Sequence, residues 1–272
     1  MKLGLFGGGF KPFTTGHFAK LASAIEDHQG PGDMVYLFYG LQKRAPIKIG
    51  KKGQPLKSHQ KFRSIGSSKR FYTPELSKEI FDIYEEAIER ELPNVEVEST
   101  IGSTPMRRIF EIVEQFSENP EMYEKVTIYG GADTIREYIR KISYFGDMLE
   151  SGKVQLGSIP PESINDYLDE ERLIELIERS EESALAALRP HYPEADDQDL
   201  ERMQKIRGTE VRDIASTEAG IEQAKRYLPP FLNDSEKDDI IQILLAGEQQ
   251  SPQDNSLSEV YLRAFIRGFI RG

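Results

Sequence analysis

The chain has 272 residues, a formal net charge of −11, no cysteine and no tryptophan. Its length suits one large α/β domain with insertions or with a helical appendage, and it is ample for a sizeable core. The missing cysteines exclude disulfides and thiolate chemistry. No apolar signal core precedes the first strand, and no window approaches about eighteen apolar residues. Neither secretion nor a membrane span is therefore expected, and a cytoplasmic location is.

In chain order, Leu3, Leu5 and Phe6 form a short apolar run that breaks into Gly7-Gly8-Gly9. Phe10, Lys11, Pro12 and Thr14-Thr15-Gly16-His17 follow. A helical pattern (Phe18, Leu21, Ala22, Ile25) then runs from Phe18 to Asp27. This reads as a buried strand, a tight turn and a helix start. Glycines there let main-chain N–H groups approach a ligand, and the helix N-terminus favours an anion. The spacing matches neither the dinucleotide fingerprint nor the Walker loop. Met34 to Tyr39 is a continuous apolar run, as in a parallel strand covered on both faces. The resulting right-handed βαβ unit puts the Gly7–His17 turn at the carboxyl end of the first strand, where open α/β sheets bind ligands.

Gln42 to Arg70 holds ten Lys/Arg and no acid. An acidic protein that gathers so many cations in one loop is expected to use them on an anion, with polyphosphate the natural candidate and nucleic acid the rival. His59, in the same loop, reads as a surface residue. Thr73-Pro74 starts a helix to about Leu92, Val95 to Ser99 is a third strand, and Thr104-Pro105 starts a helix ending near Phe116. Lys125 to Tyr129, the fourth strand, leads into Gly130-Gly131-Ala132-Asp133 and a helix from Thr134 to Ile142. Asp133 there can cap the helix, touch a ligand, or both.

Lys153 to Ile159 is the fifth strand, and Glu162 to Leu188 reads as one long helix (Ile164, Leu168, Leu173, Leu176, Ile177, Ala184, Leu188) with a solvated acidic face. Glu162 to Glu201 carries fourteen acidic and three basic side chains, the equal of the whole net charge. Pro190 to Asp199 is a loop whose Asp196, Asp197 and Asp199 lack calcium-loop spacing. In Gln204 to Asp213, QKIRGTEVRD, Gly208-Thr209 opens a helix with Arg212 one turn in. Free N–H groups, a hydroxyl and a guanidinium on one side would clamp phosphates; the plainer reading is a Thr cap with a solvated Arg. Helices over Ala219 to Leu232 and Ser235 to Ala246, a polar linker over Gly247 to Ser256, and an amphipathic segment over Leu257 to Ile270 complete the chain. That last segment is expected to dock on the core or at an interface in a homo-oligomer.

Gly7, Gly8, Gly9, Phe10, Pro12, Thr14, Gly16 and His17 resemble the T/HxGH signature of the nucleotidyltransferase superfamily, the adenylyl- and cytidylyl-transferases. Ile206 to Arg212 resembles that superfamily's fifth motif, I-S-S/T-T-x-x-R. The resemblance covers Leu3 to about Ser216. It implies a Rossmann-like α/β fold, an open parallel sheet of about five strands with flanking helices, plus a C-terminal helical extension. The α/β domain would span 1–216, with the basic loop 42–70 and an acidic helical insertion 162–201, and the C-terminal helices 217–272.

The activity implied is transfer of a nucleoside monophosphate from a triphosphate to a phosphorylated small-molecule acceptor, with release of pyrophosphate. By similarity, His17 and Thr14 would contact the phosphates, and Thr209 and Arg212 would hold the β- and γ-phosphates. Gly7, Gly8, Gly9, Phe10, Gly16, Gly130, Gly131, Asp133 and Gly208 would border the nucleotide. Lys43, Arg44, Lys57 and Arg63 would supply cations to the acceptor or triphosphate, and Mg²⁺ would travel with the nucleotide, with no dedicated protein site. Two positions depart from the pattern. Lys11 stands where many relatives place Asp, Asn or Gln, which puts a catalytic cation beside the phosphates, and Arg207-Gly208 replaces a Ser pair. The F-x-P-x-T sequence looks like the adenylyltransferases for nicotinamide mononucleotide or phosphopantetheine, so ATP is favoured over CTP and nicotinamide mononucleotide leads as acceptor. The alternatives are a cytidylyltransferase making a CDP-linked polyol or sugar, a non-catalytic nucleotide sensor, and a nucleic-acid-binding module on Gln42–Arg70. Against the last stand the acidic remainder of the chain and the scarcity of interleaved aromatics, Phe62 and Phe71 alone.

Overall fold

In the computed structural model the described residues are 1–10, 12–41, 74–100, 104–140 and 146–249. Five strands, β1 (Lys2–Gly8), β2 (Met34–Gly40), β3 (Val95–Thr100), β4 (Lys125–Tyr129) and β5 (Val154–Leu156), pair in the order β3-β2-β1-β4-β5. Every pairing is parallel. The expected open parallel α/β sheet is therefore present. Its order reverses between β1 and β4, so the turns after these two neighbouring strands flank the crevice where such sheets take ligands.

The helices are α1 (Thr15–Asp27), α2 (Pro74–Glu91), α3 (Pro105–Glu118), α4 (Ala132–Ile139), α5 (Gly146–Glu150), α6 (Asn165–Leu168), α7 (Glu170–Leu188), α8 (Asp197–Lys205), α9 (Gly208–Ala215), α10 (Ile221–Lys225) and α11 (Asp234–Gln249). They cover both faces of the sheet. Val35, Leu37 and Tyr39 of β2 join Phe6 and Tyr129 in a core under α1, α2 and α8. The alternate residues Leu3, Leu5, Phe38, Val126 and Ile128 face Ile109, Val113 and Phe116 of α3 on the other side. Side chains alternate between faces along a strand, so a strand buried on both faces reads as a continuous apolar run. Phe231, Leu232, Ile240, Ile241 and Leu244 belong to the same core as Phe13 and Phe18, so the segment after Ser216 packs into the α/β unit. Among the described residues no helix is long and apolar enough to cross a membrane.

Several local expectations are corrected. The first helix starts at Thr15, three residues before Phe18. The fifth strand stops at Leu156, because Gly157 turns the chain with φ +80°. The helix expected over Glu162–Leu188 is two: Asp169 is extended and its carboxylate accepts the Arg172 N–H at 3.0 Å, capping α7 and breaking the run. Leu168, assigned to the buried stripe, is 60% exposed in consequence. Asp196 caps α8 by accepting the Asp199 N–H at 2.8 Å, and Asp197 pairs with Arg189, so α8 begins inside the expected 190–199 loop. The expected helix Ala219–Leu232 reduces to α10 and a preceding turn of 3₁₀ helix, and α11 runs on to Gln249, into the expected linker. The Leu257–Ile270 segment, the N-cap Thr73 and the whole loop 42–70 lie outside the described residues.

Candidate nucleotide site at the carboxyl ends of β1 and β4

The turn after β1 is built from inside the protein. The rings of Phe10 and Phe13 are buried, 4.7 Å apart between centroids, and Phe6 lies 5.3 Å from Phe10. A non-regular turn carries carbonyls that no ladder satisfies, and burial makes an unpaired one costly. Two buried tyrosines supply the donors. The Tyr39 hydroxyl donates to the Phe10 carbonyl, and Tyr84 on α2 donates to that of Phe13 at 3.0 Å. Burial pushes both phenols well above the ordinary tyrosine range, so they remain donors.

The three glycines differ in what they face. A Cβ on Gly8 would stand 2.3 Å from the Phe10 ring, and one on Gly7 would be 2.9 Å from the Pro105 Cβ at the start of α3. Packing alone accounts for both. Gly9 is exposed, and among the described residues a Cβ there meets nothing within 4 Å. The ring of Phe10, expected beside the nucleotide, is 3% exposed and sits in the core. Lys11 lies outside the described residues, as do Lys43, Arg44, Lys57 and Arg63.

Thr14 is the extended N-cap of α1. Its backbone N–H donates to His17 Nδ1 at 3.0 Å, which places the ring proton of neutral His17 on Nε2. The imidazole touches Phe10 and Phe13, with centroids 5.0 and 5.4 Å away. Burial, and secondarily the charge of Lys20 one turn on, lower its pKa to about 4, so His17 is neutral at neutral pH.

The TTGH motif and the motif that opens at Ile206, far apart in sequence, are in direct contact. The Thr14 hydroxyl donates to the Ile206 carbonyl at 3.1 Å, across 192 residues, and Thr15 donates to the Met203 carbonyl at 2.7 Å. These carbonyls lie at the carboxyl end of α8, where intrahelical partners run out. Gly16 is forced by the same contact: a Cβ would stand 2.3 Å from the Gln204 carbonyl oxygen and 3.1 Å from that of Ile206. Thr14 is fully buried and its hydroxyl is engaged within the protein. It holds the junction through its hydroxyl and His17 through its N–H.

Two residues past Ile206, α9 begins. Its N-cap is Arg207, whose N–H donates to Glu210 Oε2 at 2.8 Å, which corrects the expected Thr cap. Gly208 and Thr209 fall in the first turn, half-buried, and Arg212, also half-buried, lies one turn further.

On the other side of the crevice, α4 starts one residue before Asp133, with Gly131 as extended N-cap. Asp133 is thus exposed in the first turn, and the expectation that it caps the helix is corrected. Gly130 and Gly131 are half-buried. Gly130 lines a shallow cleft with Gly157, Ser158, Ser180 and Glu181, between the ends of β4 and β5 and the side of α7. Lys20 and Tyr129 also line it. Tyr39, Tyr84, Lys20 and Glu181 are site residues the sequence reading missed. Lys20 alone carried a signal, three residues after His17 on the same helix face. Comparison with known proteins adds no relative: no family model matches the chain, and neither a curated protein nor a solved structure does.

Proposed function

We propose that this protein is a nucleotidyltransferase that moves a nucleoside monophosphate, AMP in preference to CMP, from a triphosphate to a phosphorylated small-molecule acceptor and releases pyrophosphate. The observation that carries the reading is the junction of Thr14-Thr15-Gly16-His17 with Met203–Ile206, which sets the starts of α1 and α9 side by side at the reversal point of a parallel sheet. A helix start offers unsatisfied N–H groups and a favourable field for an anion. The Thr15 N–H at the start of α1 is taken by the Tyr227 carbonyl at 2.8 Å, so the start of α9, with the His17 imidazole and Arg212, would form the receptor for a polyphosphate.

In-line attack of the acceptor phosphate on the α-phosphate forms one P–O bond and breaks another, with pyrophosphate leaving, so it needs positioning and charge stabilisation and no protein nucleophile. His17 suits that demand. Its Nε2–H is a donor, its Nδ1 is fixed by Thr14, and its neutrality spares it from trapping the phosphates as a static ion pair. Thr209 and Arg212 would hold the leaving pyrophosphate. Among the described residues no three His, Asp or Glu side chains gather as a metal cage. On this reading Mg²⁺ would be carried by phosphate oxygens, where it would screen their charge.

The test is pyrophosphate release with ATP or CTP and Mg²⁺ against nicotinamide mononucleotide, phosphopantetheine, flavin mononucleotide and polyol phosphates. Turnover with one pair, lost in His17→Ala, is expected. No turnover together with no binding of either triphosphate overturns the reading.

A further inference from the structure

We propose that Lys20 is a further phosphate-binding residue of this site, held in reserve by Glu181, which acts as a displaceable internal anion; the proposal rests on the nucleotidyltransferase reading. Lys20 lies one helical turn beyond His17 on α1, and its Nζ contacts both oxygens of Glu181 at 2.8 Å. Its stem crosses the crevice: a Cβ on Gly131 would stand 3.6 Å from the Lys20 Cε. The cation thus reaches from the His17 turn to the N-cap of α4, beside both glycine-rich strand ends. Its side chain is 16% exposed, and that of Glu181 is 37% exposed.

The Glu181 carboxylate does more than an ordinary surface ion pair requires. It also accepts from Gln204 Nε2 at 3.2 Å, and the Gln204 carbonyl is the one that Gly16 packs against. A carboxylate is therefore fixed at the rim of the cleft, where a ligand's anion would meet Lys20. An ammonium on a flexible stem is a point charge with three donors, able to exchange one oxyanion for another, and a polyphosphate outbids a half-exposed carboxylate in charge. A merely structural pair behaves otherwise, because removing either partner damages the same contact.

The experiment is calorimetric titration of the full chain with inorganic triphosphate, the probe, on wild type, Lys20→Met, Lys20→Arg, Glu181→Gln and the double variant K20M/E181Q. Thermal melting of each confirms that it is folded. K20M is expected to bind about tenfold more weakly, as for one lost charge-assisted contact. E181Q, freed of the competing charge, should bind about threefold more tightly. The double variant should match K20M, since Glu181 acts through Lys20, and K20R should keep most of the affinity. K20M and E181Q shifting binding in the same direction, or not at all while wild type binds, overturns this proposal and leaves the reaction class standing. Wild type that binds no triphosphate overturns both.

Discussion

The two glycine-rich strand ends at the crevice are built differently. The turn after β1 is held from every side: by Tyr39 and Tyr84 on its carbonyls, by Phe6 under its rings, and by Met203, Gln204 and Ile206 against the start of α1. The turn after β4 is capped by Gly131 without a side-chain hydrogen bond, and its Asp133 is exposed. Chemistry on a phosphorus centre rewards donors fixed before the substrate arrives. Walls that must admit a ligand gain from having room. On the proposed reading, the turn after β1 would serve catalysis and the turn after β4 would serve binding.

The largest effect that separates them is Gly16→Ala. Its Cβ would meet the Gln204 carbonyl, which is backbone and cannot swing aside, so α8 and α1 must part. A loss of about 3 kcal/mol, or roughly 5–10 °C in melting temperature, is expected together with the activity. Gly131→Ala is the matched control, because its Cβ makes only an ordinary contact with Lys20 and the cost should stay within about 1 kcal/mol, that of Ala at an N-cap. Equal destabilisation of both in a melting experiment would erase the contrast.

His17 gives the next effect. Its folded pKa of about 4 lies below the ordinary histidine value of 6.5. Above about pH 6.5 the ring is neutral folded or unfolded and contributes nothing to pH dependence. As pH falls from about 6.5 to 4, the unfolded chain binds a proton that the folded one refuses, so stability is lost across that window and levels below it. The loss through this ring is about 2 kcal/mol, and His17→Asn should lack it, as denaturant melts at pH 7 and pH 4.5 would read. Nuclear magnetic resonance should show the ring unprotonated at pH 5.5; titration near 6.5 would sink the assignment of a neutral Nε2–H donor.

Tyr84→Phe comes third. It leaves the Phe13 carbonyl buried without its donor, at about 1–2 kcal/mol, and loosens the turn that carries His17. A comparable loss is expected for Thr15→Val through the Met203 carbonyl. The sharper readout is kcat, which should fall in both while the melting curve remains cooperative.

How far these features were legible in the sequence follows from the range of the forces that make them. Strand β4 is legible to its ends, because Val126, Thr127, Ile128 and Tyr129 are strong strand formers and Gly130-Gly131 stops them. The TTGH and RGTEVR motifs were readable because local residue order sets a helix start. What joins them was not: that Gly16 is glycine on account of a carbonyl 188 residues away is a tertiary fact without a local trace. The same holds for Tyr39 and Tyr84, which look like two more core aromatics until their hydroxyls find the turn. Asp169 misled because a cap and an exposed helical aspartate look alike when apolar spacing continues across the break. Asp133 misled in the opposite direction, since Gly131 began the helix ahead of the better capping side chain.

Gly9→Ala carries the smallest expected effect on stability and the narrowest question. Among the described residues nothing lies within 4 Å of the added methyl group, in contrast to Gly7 and Gly8 beside it, so the melting temperature should move by less than about 1 °C. Packing against the described residues does not call for glycine here, and close approach of a ligand to the backbone is one use of a residue without a side chain. If the triphosphate lies against this turn, the methyl group should raise KM for the nucleotide several-fold while the stability stays at the wild-type value. An unchanged KM in an active enzyme would move the polyphosphate away from Gly9, toward the start of α9, and the rigid turn would then serve the reaction only through His17.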